Sequence, residues 1–252
     1  MDEALLSRIE DAGLNASAPP QQRWLDGWLL RFSPGKAKRA RCINALADGR
    51  LPPPQRLRLA LEAYAQAGLP ALVRITPFTQ PQGLEDWLAG EGWTALDDTR
   101  VMVNTRPAAA DGPPLPPGTG WHALDASAYA ETVGALRDSP PGQRLAHAAR
   151  LAASPVPYRG FAIRRADDGA VLACGQFARE ADLVGLYDIH THPQARGQGL
   201  ATLLCKRLLS IAATEGATLA YLQVEPANDA ARRIYRRLGF ADAYAYHYRQ
   251  VP

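Results

Sequence analysis

The run 194–201, Gln-Ala-Arg-Gly-Gln-Gly-Leu-Ala, is the stretch of the chain whose residue types most clearly suggest chemistry. It lies between a predicted strand, Leu183–Thr191, and a predicted helix that begins at Leu200. Gly197 and Gly199 let the backbone approach a ligand closely, because glycine has no side chain in the way. The first amides of the helix are unpaired and lie at the positive end of its dipole. The run therefore predicts a phosphate-binding turn.

The glycine spacing excludes two familiar phosphate motifs. The run lacks the Gly-x-x-x-x-Gly-Lys-Ser/Thr pattern of a P-loop, and Thr202 stands where a dinucleotide fingerprint has its third glycine. A strand, turn and helix whose glycines serve only tight packing is the structural alternative.

A second motif downstream gives the turn a family context. Gln194-x-x-Gly197-x-Gly199 resembles the acetyl-CoA-binding signature Gln/Arg-x-x-Gly-x-Gly/Ala of the GNAT superfamily of N-acetyltransferases, and Arg196-x-x-Gly199-x-Ala201 fits it one register along. The strand-like run 222–226 and the helix 228–240 resemble the same superfamily, with an Asn-x-x-Ala-x-x-x-Tyr pattern and a Gly-Phe ending. The resemblance is firm over residues 119–250 and implies a mixed-sheet α/β fold.

The resemblance implies that acetyl-CoA is the cosubstrate and that two segments bind it. One is the end of the strand with the turn, where amides of residues 196–201 hold the pyrophosphate and main-chain groups near 189–191 hold the pantetheine arm. The other is the helix that begins at Asn228, whose basic run 232–237 could attract the 3′-phosphate. The predicted cofactor residues are Ile189, His190, Thr191, Gln194, Arg196, Gly197, Gln198, Gly199, Leu200, Ala201, Asn228 and Tyr235.

Acyl transfer to an amine requires a base for the ammonium and an acid for the thiolate. Tyr235 is predicted as the acid, because a phenol can donate to a thiolate and family members often use a tyrosine here; a core tyrosine is the alternative. The rival candidates for the base are Asp188 and Glu225. Asp188 aligns with an acidic residue that is often found on this strand in the family, and Glu225 lies at the end of the next strand. No cysteine is placed as a nucleophile, so direct attack is expected.

The order of elements repeats along the chain, which suggests a duplicated domain. We expect a degenerate GNAT-like domain at 1–106, a Pro/Gly-rich linker at 107–120 and a catalytic GNAT domain at 121–252. The first half has no Gly-x-Gly turn between Leu46 and the helix near Pro53, and Leu88 holds the position of Tyr235. The fold class expected is therefore α/β, with two GNAT-like domains in tandem and a single active site.

Composition narrows the remaining possibilities. The net charge of +3 gives no reason to expect nucleic-acid binding, and three cysteines without Cys-x-x-Cys spacing suit a reducing compartment. No signal peptide or membrane span is recognisable, so a cytoplasmic protein is expected. His190-x-His192 lacks the third ligand that catalytic zinc needs, so no metal is expected. The partner expected is a small-molecule or peptide amine, and either a monomer or a homodimer is expected.

Two other functions stay open at this point. A non-catalytic acyl-CoA-binding or regulatory module would keep the turn and lose the chemistry. A nucleotide-binding protein would bind ATP or NAD tightly, and CoA would not displace them. The favoured prediction is an N-acetyltransferase that moves acetyl from acetyl-CoA to a primary amine.

Overall fold

The computed structural model describes residues 1–35, 37–107 and 113–251. Its α-helices are α1 Glu3–Ala16, α2 Pro53–Gln66, α3 Leu84–Gly90, α4 Ala126–Leu136, α5 Pro141–Ala152, α6 Leu200–Thr214 and α7 Asp229–Arg237. Its strands are β1 Gln21–Leu25, β2 Trp28–Phe32, β3 Ile43–Ala45, β4 Leu72–Ile75, β5 Thr94–Asn104, β6 Thr119–Leu124, β7 Tyr158–Arg165, β8 Val171–Glu180, β9 Leu183–Thr191, β10 Leu219–Val224 and β11 Ala241–Gln250. Short 3-10 helices cover Lys38–Ala40 and Pro193–Ala195. Within the described ranges no helix is long and apolar enough to cross a membrane.

The chain forms two compact units. The larger unit contains Met1–Ala16 and Met102–Ala243, and the smaller unit contains Ser17–Val101 and the segment from Tyr244 onward. These units differ from the boundaries expected from the sequence, because α1 packs with the larger unit and the end of β11 with the smaller one. The centre of the expected linker, residues 108–112, lies outside the described residues, and β6 already begins at Thr119.

The larger unit is a mixed sheet with helices on both faces. Its strands follow the order β10-β9-β8-β7-β6, with β9 and β10 parallel and the other neighbours antiparallel. On one face, α6 and α7 bury an apolar core that includes Phe177, Leu186, Leu204, Leu208 and Leu222. On the other face, α4 and α5 cover a smaller cluster around Tyr129. On the inner face of α6, Leu204 and Leu208 are fully buried.

A β-bulge interrupts β9 just before its carboxyl end. Cys174 pairs with His190 and Gln176 with Tyr187, so β9 carries one residue more than β8 between these pairs. Asp188 lies in this extra position with a φ of +51°. A bulge frees backbone groups from the ladder and redirects side chains. Here it interrupts the strand next to the phosphate turn.

The smaller unit repeats the mixed-sheet plan on a smaller scale. Its strands follow the order β1-β2-β3-β4-β11, with β3 and β4 parallel and β11 antiparallel to β4. Its core includes Trp28, Ile43, Val73 and Leu88, under α2 and α3. Leu88, which the sequence repeat aligns with Tyr235, is fully buried in this core. The connection from β3 to α2 is short.

Candidate functional site

The phosphate turn has the geometry that its sequence predicts. Gly197 and Gly199 have φ of +77° and +76°, and Gly199 caps α6. An added Cβ at either glycine would meet no protein atom within 4 Å. The helical bonding begins where the Leu203 amide donates to the Gly199 carbonyl at 3.0 Å, so the amides of residues 200–202 point out of the helix start. The open space beside these amides suits an anionic group.

The turn lies at the mouth of a cleft of about 660 Å³, here called the turn cleft. The end of β9, the turn, the first residues of α6 and one side of α7 form it. Ten of the predicted cofactor residues line it: Ile189, His190, Thr191, Arg196, Gly197, Gly199, Leu200, Ala201, Asn228 and Tyr235. Asn228 also caps α7, because its side-chain oxygen accepts a hydrogen bond from the Ala231 amide at 3.1 Å. The turn cleft therefore brings both sequence motifs together.

The two glutamines of the turn lie elsewhere. Gln194 and Gln198 line a second cleft of about 1410 Å³, here called the hairpin cleft, between α4, the β7–β8 hairpin and the turn. The turn therefore contributes residues to both clefts, and Ala195 lines each of them. The sequence pattern gave no indication of this, because it records spacing along the chain and not the side to which a loop residue points.

Tyr235 lines the turn cleft from α7. Its side chain is 9% exposed and its ring meets that of Phe240 edge to face at 6.1 Å between centroids. Burial raises the pKa of its hydroxyl well above the ordinary value of 10.0, and the neighbouring Cys205 thiol adds to the shift. Such a phenol stays protonated throughout the neutral range and is a hydrogen-bond donor there.

Asp188 is fixed by contacts to the face that α4 and α5 cover. Arg137 Nη1 donates to its Oδ1 at 2.9 Å, and Gln176 Nε2 donates to its Oδ2 at 2.8 Å. Burial raises the pKa of the Asp188 carboxyl, but the charges of Arg137 and His147 and the Arg137 hydrogen bond outweigh burial and hold it below 3.8. The Tyr129 hydroxyl donates to the Asp188 carbonyl at 3.1 Å. Both carboxylate oxygens are thus engaged as hydrogen-bond acceptors.

His147, on α5, was not among the residues predicted from the sequence. Its Nε2 lies 3.6 Å from Asp188 Oδ2, and its side chain is 19% exposed. Burial lowers its pKa below 6.5; Asp188 opposes that shift, and Arg150 and Arg137 reinforce it. The imidazole is therefore neutral at pH 7. The sequence signal for the helix that carries His147 is the pair Pro140 and Pro141, because proline is favoured in the first turn of a helix.

The other predicted polar residues take different places. Glu225 is exposed at the end of β10 and is not among the residues that line the turn cleft. His192 accepts a hydrogen bond from the Gln194 amide at its Nδ1, at 3.3 Å, and so helps to form the turn. In the part of the chain that the structure describes, no group of three or more His, Cys, Asp or Glu side chains is placed to hold a metal.

The basic run of α7 divides between structure and surface. Arg232 is buried and donates to Asp242 Oδ2 at 2.8 Å, so it is a structural residue. Arg237 is exposed and lines the turn cleft. Of this run, Arg237 is the cation best placed for a phosphate at the cleft.

Comparison with known proteins gives a consistent result. Residues 5–249 match a family described as probable histone acetyltransferase Rv0428c C-terminal. The chain is 26% identical over 233 residues to the uncharacterized N-acetyltransferase YobR of Bacillus subtilis, covering 90% of this chain and 91% of that protein. It is 29% identical over 244 residues to a mycothiol acetyltransferase of Gordonia bronchialis, covering 92% and 70%.

Solved structures share the fold at low identity. A GCN5-related N-acetyltransferase from Kribbella flavida superposes with a TM-score of 0.68 at 22% identity, covering 98% of this chain and 95% of that one. A tandem GNAT protein from the clavulanic acid biosynthesis pathway gives a TM-score of 0.68 at 15% identity, covering 83% and 74%. The predicted α/β GNAT fold class is confirmed, and the tandem protein fits the expected pair of GNAT-like halves.

Proposed function

The chain belongs to the Rv0428c acetyltransferase C-terminal family of GNAT enzymes, and from this premise we propose that it transfers acetyl from acetyl-CoA to a primary amine by direct attack. Acetyl transfer by a GNAT acyltransferase is common to its named relatives; the donor, the acceptor class and the route are our proposal. One observation carries it: the phosphate turn and Tyr235 line the same cleft.

The residues of the turn cleft fit a CoA thioester. The amides at the start of α6 and the exposed Arg237 suit its phosphates. The carboxyl end of β9, next to the bulge, offers main-chain groups to an extended amide-bearing arm, as a strand edge does. When bound, the thioester supplies an activated acyl group with a thiol as leaving group. The protein contributes positioning, which is worth several kcal/mol, and proton transfer.

Tyr235 is proposed to protonate the thiolate as it leaves. A thiolate derived from an alkyl thiol is the conjugate base of a group with a pKa near 8.5. The Tyr235 hydroxyl is a weaker acid than this thiol, so its proton moves to the sulfur only as the C–S bond breaks, and the transfer is completed because the second proton lost by the amine nitrogen restores the hydroxyl. Cys205, beside it, is fully buried in α6, and burial raises the pKa of its thiol to about 12. Such a thiol is a poor nucleophile, which supports direct attack on the thioester.

The proposal is tested by incubating the protein with acetyl-CoA and a panel of primary amines and measuring the release of thiol. The panel should contain amino acids, polyamines, aminoglycosides and peptides with a free N-terminus. Amine-dependent release of CoA together with the acetylated amine, identified by mass spectrometry, is the expected result. Acetyl-CoA binding with no turnover for any amine would favour the non-catalytic binding module. Tight ATP or NAD binding that CoA does not displace would contradict both.

A further inference from the structure

We propose that His147 is the base that removes the proton from the acceptor ammonium, with Asp188 as the residue that orients it. This inference rests on the proposed function, since it assigns a residue to the amine side of the same reaction. It replaces neither Tyr235 nor the phosphate turn. It identifies which group on the α4 and α5 face of the sheet takes up a proton.

His147 lies close to the end of β9 that we propose to hold the pantetheine arm. Ile189, which lines the turn cleft, directly follows Asp188 at the bulge, and the Asp188 carboxylate lies 3.6 Å from His147 Nε2. His147 is thus one contact away from the strand that we propose to hold the pantetheine arm. Its side chain remains 19% exposed, so the ring is not sealed from solvent.

The Asp188 carboxylate orients the His147 ring. A carboxylate beside one imidazole nitrogen favours the tautomer with the proton on that nitrogen, and so leaves the other nitrogen as a proton acceptor. Asp188 holds its place through Arg137, Gln176 and the bulge. Nε2 therefore bears the proton toward Asp188, and Nδ1 is the nitrogen that accepts one. The same logic orients the histidine in well-known catalytic dyads and triads.

Burial and the neighbouring cations keep the His147 imidazole neutral, so that it can accept a proton. The charged groups around His147 are Asp188 from β9, Arg137 just after α4 and Arg150 from α5 itself. Arg137 pairs with Asp188 at 2.9 Å, and the Arg150 guanidinium lies 5.8 Å from the centre of the Tyr158 ring. The cations and burial lower the pKa of His147, and Asp188 opposes them. At neutral pH the ring can therefore accept a proton.

The proposed step balances in protons. His147 Nδ1 takes one proton from the ammonium and passes it to solvent. The neutral nitrogen forms a bond to the thioester carbon, and the C–S bond then breaks. The thiolate takes the Tyr235 proton, and the second proton lost by the nitrogen restores the Tyr235 hydroxyl through water. The products are the acetylated amine, the free thiol and one proton.

Other candidate bases have a less favourable geometry. Glu225 is an exposed carboxylate just after β10, and both oxygens of Asp188 accept hydrogen bonds from protein groups. His190 lines the turn cleft, but its Nε2 is buried. Burial and the charges of Arg137 and Arg196 lower its pKa, and its ring bonds to the backbone of Leu136. His190 is therefore the rival that the experiment must separate from His147.

The pH dependence of kcat/KM for His147→Gln tests the proposal, using whichever amine the panel identifies. The wild-type rate should rise with pH through a midpoint below 6.5, because the base must be neutral, and then level off. His147→Gln should lose this limb and about 100-fold or more in rate, at an unchanged KM for acetyl-CoA. The matched control is His122→Gln, a change at an exposed position on β6, which should behave as wild type. A limb that persists in His147→Gln, or disappears instead in His190→Gln, would overturn the assignment.

A second measurement does not depend on turnover, so failure of the amine panel would not hide the result. NMR titration of the histidine rings in the full-length protein gives the pKa of His147, identified by the signal missing from His147→Gln. We expect a pKa below 6.5 that falls further in Asp188→Asn, because the carboxylate charge is lost. A His147 pKa at or above 6.5, or no response to Asp188→Asn, would refute the proposed pair.

Discussion

Tyr235 illustrates how one buried hydroxyl can be tested apart from its ring. Tyr235→Phe keeps the edge-to-face packing on Phe240 and removes only the proposed proton donor. We expect kcat to fall by about 10²–10⁴-fold, the usual range for a lost acid or base, with acetyl-CoA affinity nearly unchanged. Steady-state thiol release and calorimetric binding measure the two quantities.

The control for this change is Tyr248→Phe, which removes an equally buried hydroxyl from β11 in the smaller unit. Its kcat should stay within about threefold of wild type, since surface or remote changes cost little chemistry. An unaltered rate in Tyr235→Phe would exclude Tyr235 as the acid. A loss of cofactor affinity equal to the loss of kcat/KM would instead assign the hydroxyl to binding.

The sequence could predict the residues that α7 contributes to this site. Tyr235 and Asn228 were predicted because the run 228–240 resembles the Asn-x-x-Ala-x-x-x-Tyr helix of the GNAT superfamily. His147 could not be predicted in this way, because its relation to Asp188 joins α5 to β9 across the sheet. The low pKa of Asp188 was equally beyond the sequence, since it depends on Arg137, which lies 51 positions earlier.

At the scale of elements, the prediction concerns the junction of β9 and α6. Gly199→Val places a side chain where the backbone has a φ of +76° and where an added Cβ meets open cleft rather than protein. The valine therefore strains the turn and occupies the space proposed for phosphate. CoA affinity should fall at least tenfold, as measured by titration calorimetry on the folded protein.

The same helix supplies a matched control at its other end. Gly216 has a φ of +98° and likewise no protein atom within 4 Å of an added Cβ, but it lies beyond the carboxyl end of α6. Gly216→Val should lower the unfolding temperature through the same kind of strain and leave CoA affinity within about twofold. Equal loss of affinity in both variants would mean that strain, not occupation of the cleft, explains the effect at Gly199.

Elements with a strong local signal were predicted almost to the residue. β9 covers Leu183–Thr191 as expected, and α6 begins at Leu200 as expected, because a strand run followed by glycines and a periodic apolar face specifies both. The bulge at Asp188 was not predictable, since the run 183–191 has no glycine or proline at that point. Its cause lies in pairing with β8, which is a property of two strands.

At the scale of the whole molecule, a repeated order of elements was visible in the sequence, but the assignment of the two ends to units was not. Periodicity reports which residues are buried and not what buries them. The helix α1, Glu3–Ala16, was not among the predicted elements, and the sequence did not indicate which unit it would cover. The expected boundaries at 106 and 121 follow chain order, whereas the contacts place Met1–Ala16 with Met102–Ala243.

That placement predicts that an N-terminal helix stabilises the unit with the proposed active site. In α1, Ile9 is 1% exposed, and the adjacent Arg8 forms an ion pair with Asp182 at the surface. Ile9→Ala should cost about 2–5 kcal/mol of unfolding free energy through lost burial and a cavity. Arg8→Ala should cost at most about 1 kcal/mol, since exposed ion pairs are screened by solvent.

Chemical denaturation with and without saturating CoA measures both effects. Because CoA is proposed to bind the larger unit, it should raise the unfolding midpoint of wild type and partly restore that of Ile9→Ala, by mass action on the folded state. If α1 contributed only a surface ion pair, Arg8→Ala would be the more damaging change. If Ile9→Ala left the CoA-dependent transition unchanged and shifted a separate one, α1 would not belong to the larger unit.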